Sequence, residues 1–331
     1  MTTASAQLDV GSLRHPLSRL VLGTMTFGAQ VEQRAAGEMV AMAGDAGVTM
    51  IDTANVYAGG ASEEIVGRAL RAHPDRFTIA TKVGMPSADA PDGAAPLSGP
   101  AVRACVEASL RRLGLERVDL LYLHQPDRAT PAAETLAAVA ALVTAGKVDR
   151  IGVSNYAAWQ IADLHRVAGA GGWPAPVVSQ PLYNLVSRRI EEEYLEFSQV
   201  YGLANIVYNP LAGGLLTGKH RFAEPAADGR FGTGSPMGSM YRDRYWSPDL
   251  FAAVDTLSRA AADHGLTLVD LALRWLVGRD GVDAVILGSS RVEHLAANLA
   301  AATGGPLPAD LGELCDRVWR DLRGPVPAYN R

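Results

Sequence analysis

The strongest constraint on what this chain can fold into is an alternation. Short, unbroken apolar runs recur along its 331 residues, each followed by a longer segment with helical periodicity. The runs cover residues 20–23, 49–51, 77–81, 118–123, 151–153, 177–179, 205–207 and 284–287. Apolar runs without an in–out pattern suit strands buried on both faces, as in a parallel sheet. Helical segments follow at 35–45, 63–71, 102–113, 132–145, 157–168, 190–201, 250–262 and 292–301. Pro131 opens one of them at a first-turn position, and Gly146 follows its end. Such alternation predicts βαβ units. Eight of each predict a closed (β/α)8 barrel, a TIM barrel, as one domain over residues 1–331. Two stretches depart from the rule. Residues 222–248, rich in Gly, Pro and aromatics, lie between the seventh strand and its helix, and residues 268–277 add a helix before the eighth strand. Residues 309–323 read as a terminal helix. Long excursions after barrel strands fall on the C-terminal face, where barrel enzymes build their sites.

Composition excludes several classes of function. The net charge is -5 and no basic stripe stands out, so a nucleic-acid partner is not expected. No apolar run reaches the roughly 18 residues of a membrane span. The first residues lack the basic and apolar regions of a secretory signal. Cys105 and Cys315 form neither a metal spacing nor a disulfide framework, which suits a reducing compartment. A cytoplasmic protein is the expectation. Lysine occurs only at Lys82, Lys147 and Lys219, the other basic residues being arginine, and alanine is abundant. That skew is typical of GC-rich bacterial genomes, and it makes each lysine informative.

The segment Ile51-Asp52-Thr53-Ala54-Asn55-Val56-Tyr57 puts an aspartate at a strand end and a tyrosine in the following loop. Lys82 ends the third strand and His124 the fourth. Three consecutive strands thus deliver an ionisable residue to one rim. A buried aspartate or lysine is costly unless paired, and Asp52 and Lys82 can pair with each other. Singly, each of these residues is more often structural; together they suit carbonyl reduction. Hydride addition to a C=O builds negative charge on oxygen, which must be protonated. Tyr57 would be the proton donor, made a better acid by the ammonium of Lys82, which Asp52 holds in place. His124 would donate to the carbonyl oxygen and orient it. No metal-ligand cluster is visible.

The hydride requires a cofactor, and no G-x-G-x-x-G opens a helix after a strand here. A nicotinamide dinucleotide lying across the barrel mouth is the alternative. Ser154, Asn155 and Gln180 end strands and could hold a carboxamide, while Tyr208 could stack on a flat ring. The glycine-rich run from Leu211 through Gly213 to Lys219 suits a pyrophosphate. Gly288, Ser289, Ser290 and Arg291 lead into a helix N-terminus, a phosphate site. Arg291 beside Ser290 favours a 2′-phosphate, hence NADPH over NADH.

With these residues in hand, the chain resembles the aldo-keto reductases over nearly its whole length. The matching stretches are Leu22-Gly23-Thr24-Met25, the Asp52–Tyr57 segment, Lys82, His124, Gly152-Val153-Ser154-Asn155 and Gln180. Within that family it is similar to the aflatoxin-aldehyde (succinic semialdehyde) reductase branch. Asn209-Pro210-Leu211-Ala212-Gly213-Gly214-Leu215-Leu216-Thr217-Gly218-Lys219 carries that likeness, as do Met240-Tyr241-Arg242-Asp243-Arg244-Tyr245-Trp246, residues 283–288, 295–301 and the end at Arg331. The resemblance implies NADPH, aldehyde or ketone substrates, and a tetrad of Asp52, Tyr57, Lys82 and His124. It implies cofactor contacts from Gly23, Thr24, Met25, Asn209, Arg230, His294 and Asn298, and substrate contacts from Tyr241, Arg244, Trp246 and Arg331. His294 departs from the Gln or Arg usual beside the adenine, and Ala297 from an acidic or amide residue. The same branch is similar to reductases acting on polyketides or deoxysugars, so a pathway-specific ketoreductase is an alternative. A cofactor-binding regulatory subunit, like the β subunits of potassium channels, is a remote one. A homo-oligomer is compatible with either.

Overall fold

The structure is a computed structural model that describes residues 13–224, 226, 229–232, 234–235 and 237–325. In it, β1 (Leu20–Gly23), β2 (Met50–Asp52), β3 (Thr78–Val83), β4 (Val118–Leu123), β5 (Val148–Ser154), β6 (Val178–Gln180), β7 (Ala204–Val207) and β8 (Ala284–Gly288) pair in sequence order, all parallel, and β8 closes on β1. This is the expected TIM barrel. The flanking helices are α1 (Gln33–Asp45), α2 (Ala61–Leu70), α3 (Gly99–Leu113), α4 (Ala132–Thr144), α5 (Ala158–Gly171), α6 (Tyr194–Val200), α7 (Gly238–Tyr245), α8 (Pro248–Asp263), α9 (Leu268–Val277), α10 (Val292–Ala302) and α11 (Ala309–Arg323).

Strand parity organises the core. Side chains alternate between the barrel lumen and the helix shell. Val21, Met50, Ala80, Leu120, Tyr122, Val178, Ile206 and Ile286 form one buried cluster in the lumen, with Leu17 packed beneath it. The residues between them, such as Leu22, Ile51, Ile79, Leu121 and Val153, join a second and larger cluster against the helices. Two residues beyond the lumen cluster, the same parity delivers Gly23, Asp52, Lys82, His124, Gln180, Tyr208 and Gly288. The barrel floor therefore dictates which side chains line its mouth.

Five strands run past their predicted ends by one residue or more, and those extensions carry Asp52, Lys82, Ser154, Gln180 and Gly288. The apolar pattern stops where the polar site begins, but backbone pairing continues through it. Elsewhere the differences lie in local polarity. Residues 190–201, expected as one helix, form a 3-10 turn (Arg189–Glu192) and α6, separated at Glu193. The excursion at 222–248 contains α7, whose sequence GSMYRDRY has too little apolar periodicity to announce a helix. Pro131 precedes α4 in an extended conformation rather than sitting in its first turn.

Gly152 shows how tightly the lumen is filled. A Cβ built there would stand 2.8 Å from the Tyr122 ring and 3.0 Å from the Val178 carbonyl oxygen. Gly152→Ala is expected to destabilise the fold by about 1–3 kcal/mol through overpacking. Adding Tyr122→Leu to that variant should recover part of the loss. Urea unfolding of the two variants checks this, and equal stabilities would contradict the packing argument.

Candidate active site

Lys82 lies in the lumen, fully shielded from solvent. Its ammonium donates to the Asp52 carboxylate, to the Thr53 carbonyl oxygen at 2.9 Å and to the Tyr57 hydroxyl at 3.2 Å. An ammonium has three N–H donors, and all three are used. Asp52, also buried, accepts Lys82 on Oδ1 and the Gln180 amide at 2.8 Å on Oδ2. Burial lowers the pKa of the Lys82 ammonium, but Asp52 and the Tyr57 hydroxyl outweigh burial and hold the pKa above its ordinary value.

Tyr57 sits in the turn after β2. Burial pushes its hydroxyl above the ordinary tyrosine pKa; Lys82 pulls it down and Asp52 pushes it up again. Lys82 therefore acts in the expected direction, but the net shift is upward, so the phenol keeps its proton through neutral pH. The His124 ring lies edge-on to Tyr57 at 6.0 Å between centroids. Burial, reinforced by the Lys82 charge, lowers the His124 pKa to about 3. The imidazole is neutral at physiological pH, and its Nδ1 is buried without a hydrogen-bond partner. The four residues expected as a catalytic group thus converge on one spot at the mouth of the barrel.

Three residues expected near a carboxamide are adjacent but already bonded to the protein. Ser154 donates to the Gln180 carbonyl oxygen at 2.9 Å, and Asn155 donates to the His124 carbonyl oxygen at 2.9 Å. The Gln180 amide nitrogen is committed to Asp52. Tyr208 donates to Asn155 Oδ1 at 2.7 Å. Burial raises its hydroxyl to about 12, against the pull of Arg244. At the start of the rim, Thr24 donates to the Asp52 carbonyl oxygen at 3.1 Å, and Gly23 pairs with both Asp52 and Gly288. Met25 is half-buried just beyond.

The loop after β7 is built by its own side chains. Asn209, with φ +63°, accepts from the Gly213 backbone at 2.6 Å and donates to the Tyr245 hydroxyl at 2.9 Å. Leu211 precedes the turn that holds Gly213 and Gly214, both left-handed. A Cβ on Gly213 would strike the Tyr241 ring at 2.6 Å, so glycine is required there on two counts. Tyr241 and Trp246, expected to meet substrate, are taken up by packing. Tyr241 is 3% exposed and accepts from Arg230, while Trp246 donates to the Phe222 carbonyl oxygen inside a cluster with Phe231 and Phe251. Arg244 lies on α7 beside Tyr245. Arg331 lies outside the described residues.

A phosphate-bearing cofactor fits the rim between β7 and α10. Arg230 stands close enough to touch a Cβ placed on Gly288, and its charge reaches Tyr57. Lys219 and Arg291 are exposed, and among the described residues neither has an acidic partner. Arg291 caps α10 without a side-chain hydrogen bond, leaving first-turn N–H groups open beside Ser290. His294 lies one turn along the same helix and is exposed; Asn298 lies a further turn on, buried, donating to Ser289 at 3.2 Å. Among the described residues no group of His, Cys, Asp and Glu could hold a metal ion, and no helix is long and apolar enough to cross a membrane.

The model of the aldo/keto reductase family matches residues 19–320. The chain belongs to the aldo/keto reductase family. Aflatoxin B1 aldehyde reductase member 2 of Rattus norvegicus is 38% identical over 327 residues, covering 94% of this chain and 87% of the relative. The Homo sapiens aldo-keto reductase family 7 member A3 is 37% identical, covering 94% of this chain and 96% of its own. A glycerol dehydrogenase structure from Gluconobacter oxydans superposes with a TM-score of 0.77 at 28% identity, covering 99% of this chain and 98% of that one. As a family member the chain is an oxidoreductase, and the family implies NAD(P)H-dependent reduction of small carbonyl compounds.

Sequence reasoning missed two parts of this reductase site. One is the buried hydroxyl group of Thr24, Thr53 and Ser62 beneath the Tyr57 turn. The other is the ion cluster of Glu63, Arg112 and Asp89 beside it. Glu63 sits among apolar residues in Ala-Ser-Glu-Glu-Ile-Val-Gly, a buried position for an acid, and that was the available signal.

The Lys82–Asp52 pair yields a stability prediction. Lys82→Met leaves the Asp52 carboxylate buried with only the Gln180 amide, at an expected cost of about 3–5 kcal/mol. Lys82→Met combined with Asp52→Asn should regain most of that stability but no activity. Urea unfolding together with a turnover assay checks both halves. A double variant no more stable than Lys82→Met alone would show that the carboxylate is not the source of the loss.

Proposed function

We propose that this reductase transfers hydride from NADPH to an aldehyde or ketone, with Tyr57 giving the proton to the nascent alkoxide. The single observation that carries this reading is the Tyr57–Lys82 contact in the lumen, 3.2 Å long, beside a neutral His124. The nicotinamide supplies the hydride. Everything else falls to the chain. His124, uncharged, donates a hydrogen bond to the carbonyl oxygen and points it at Tyr57. Tyr57 stays protonated until negative charge develops on that oxygen. Once its proton has gone, Lys82 faces a phenolate instead of a phenol, an interaction stronger after transfer than before. Asp52 keeps Lys82 in place and neutralises it in the resting site.

Arg291 and Lys219, exposed and without an acidic partner among the described residues, support a phosphate-bearing cofactor, and Ser290 beside Arg291 supports the 2′-phosphate of NADPH. Arg244, whose charge reaches Tyr208 at the mouth, supports a carbonyl substrate bearing a carboxylate or several polar oxygens. The same residues could serve a pathway-specific ketoreductase.

Steady-state kinetics with NADPH consumption as readout test the three roles. Tyr57→Phe should lose about 100-fold or more in kcat, with NADPH binding unchanged; near-normal turnover would remove Tyr57 as the donor. Arg291→Ala should weaken NADPH more than NADH, by about 1.5–3 kcal/mol. Equal losses for the two cofactors would mean that Arg291 does not meet the 2′-phosphate. Wild type should prefer succinic semialdehyde to uncharged aldehydes of similar size, and Arg244→Leu should narrow the gap in kcat/KM. A preference that survives in Arg244→Leu would assign the anion to another residue.

A further inference from the structure

The turn that carries Tyr57 is held in an unfavourable backbone conformation. Ala58, Gly59 and Gly60 take φ values of +49°, +63° and +98° in succession, and Ala58 has a Cβ that this region disfavours. Such a conformation persists only where the surroundings fix it. On the outer side of the turn lies Arg112, from α3. A Cβ on Gly60 would stand 2.9 Å from its Cδ and Nε, so the turn rests directly on the Arg112 side chain.

The Arg112 guanidinium donates from each of its three nitrogens. Its Nε donates to Glu63 Oε2 at 2.8 Å, and Nη1 and Nη2 grip both Asp89 oxygens at 2.8 and 2.7 Å. Glu63, fully buried in the first turn of α2, accepts the Thr81 hydroxyl on its other oxygen at 2.5 Å. Thr81 directly precedes Lys82. Asp89 lies in the loop between β3 and α3. One side chain therefore ties together the Tyr57 turn, the start of α2, the strand bearing Lys82 and the next rim loop. The bond to Asp89, more than that to Glu63, raises the Arg112 pKa, so the clamp stays charged at any working pH.

We propose that Arg112, through Glu63 and Asp89, is a positioning residue for the reaction: it sets the Tyr57 hydroxyl at bonding distance from Lys82. This rests on the reductase reading for its kinetic consequence, though not for its geometry. The groups facing Tyr57 are Lys82 from β3, Asp52 from β2, His124 beyond β4, Tyr122 from β4 and Arg230 from the turn at Gly229–Phe231. Among the described residues none of them is bonded to Arg112, so Arg112 reaches Tyr57 through the Gly60 turn and through the Glu63–Thr81 link to the strand of Lys82.

The test compares wild type, Arg112→Met, Arg112→Lys and Asp89→Asn well below their melting temperatures. Arg112→Met should lower kcat about tenfold or more, the scale expected when a reacting group is misplaced. KM and the Kd for NADPH, measured by fluorescence, should stay within about twofold, and Arg112→Lys should recover part of kcat. Ionisation of Tyr57, followed as the ultraviolet difference between each protein and its Tyr57→Phe counterpart, should move by about half a unit or more. Should Arg112→Met fail to fold, Asp89→Asn, which weakens the grip of one of the two acids that hold Arg112, should still lower kcat about threefold. A lower melting temperature with wild-type kcat and unmoved Tyr57 ionisation would make Arg112 structural only and overturn the proposal. If wild type oxidises no NADPH with any carbonyl compound, the reductase reading falls, while the ultraviolet titration still decides whether Arg112 positions Tyr57.

Discussion

An ammonium inside a barrel lumen is the constraint on which this site depends. Lys82 and Asp52 together could be replaced by apolar residues of similar volume at little cost or even with gain in stability, because buried ion pairs seldom repay their desolvation. The presence of Lys82 demands that every N–H find an acceptor, and three do: the Asp52 carboxylate, the Thr53 carbonyl and the Tyr57 hydroxyl. The first acceptor requires a residue at the end of β2, the second requires the chain to turn just beyond it, and the third fixes where that turn goes. Asp52 in turn requires a donor for its other oxygen, which Gln180 brings from across the barrel. A perturbed, fully satisfied polar group where apolar packing would suffice is the mark of a functional site.

Backbone strain gathers at the same face. Among the described residues, non-glycine positive φ occurs at Ala58, Asp75, Asn155, Asn209 and Ala212. All but Asp75 lie in loops that follow β2, β5 and β7 at the C-terminal mouth. Two are asparagines, which tolerate this region, and each uses its side chain to bind neighbouring rim elements. Their strain is held by cross-loop hydrogen bonds rather than by regular secondary structure. At the opposite end of the barrel, where Leu17 packs against the lumen cluster, Asp75 is the one such residue among those described.

The architecture was legible because apolar runs and helical periodicity are set by burial, and burial is set by the barrel. The placement of Asp52, Lys82 and His124 on one rim followed from strand order alone. What escaped is informative. The bond from Gln180 to Asp52 escaped because a side chain's name does not reveal its partner across the lumen. Helix α7 escaped because a short, polar segment carries little apolar period. Arg112 escaped because an arginine in a helix looks like solvated surface until the acids packed on it, Glu63 and Asp89, are brought in from 49 and 23 residues away.

The charges at the site suit the proposed proton transfer from Tyr57. In the resting protein Lys82 and Asp52 cancel, Tyr57 is a phenol and His124 is neutral, so the lumen carries no net charge from these four. Burial holds Tyr57 above its ordinary pKa, so it does not lose its proton to water beforehand. Burial and Lys82 together hold His124 well below its ordinary pKa, so it can donate a hydrogen bond without bringing a second positive charge beside Lys82. In the proposed reaction, the alkoxide is the strongest base in the pocket and takes the Tyr57 proton. The phenolate left behind lies within bonding distance of an ammonium already fixed in place, so no dipole has to reorganise at that moment. The same burial that makes the phenol a weak acid in isolation is what makes the neighbouring ammonium effective once charge appears.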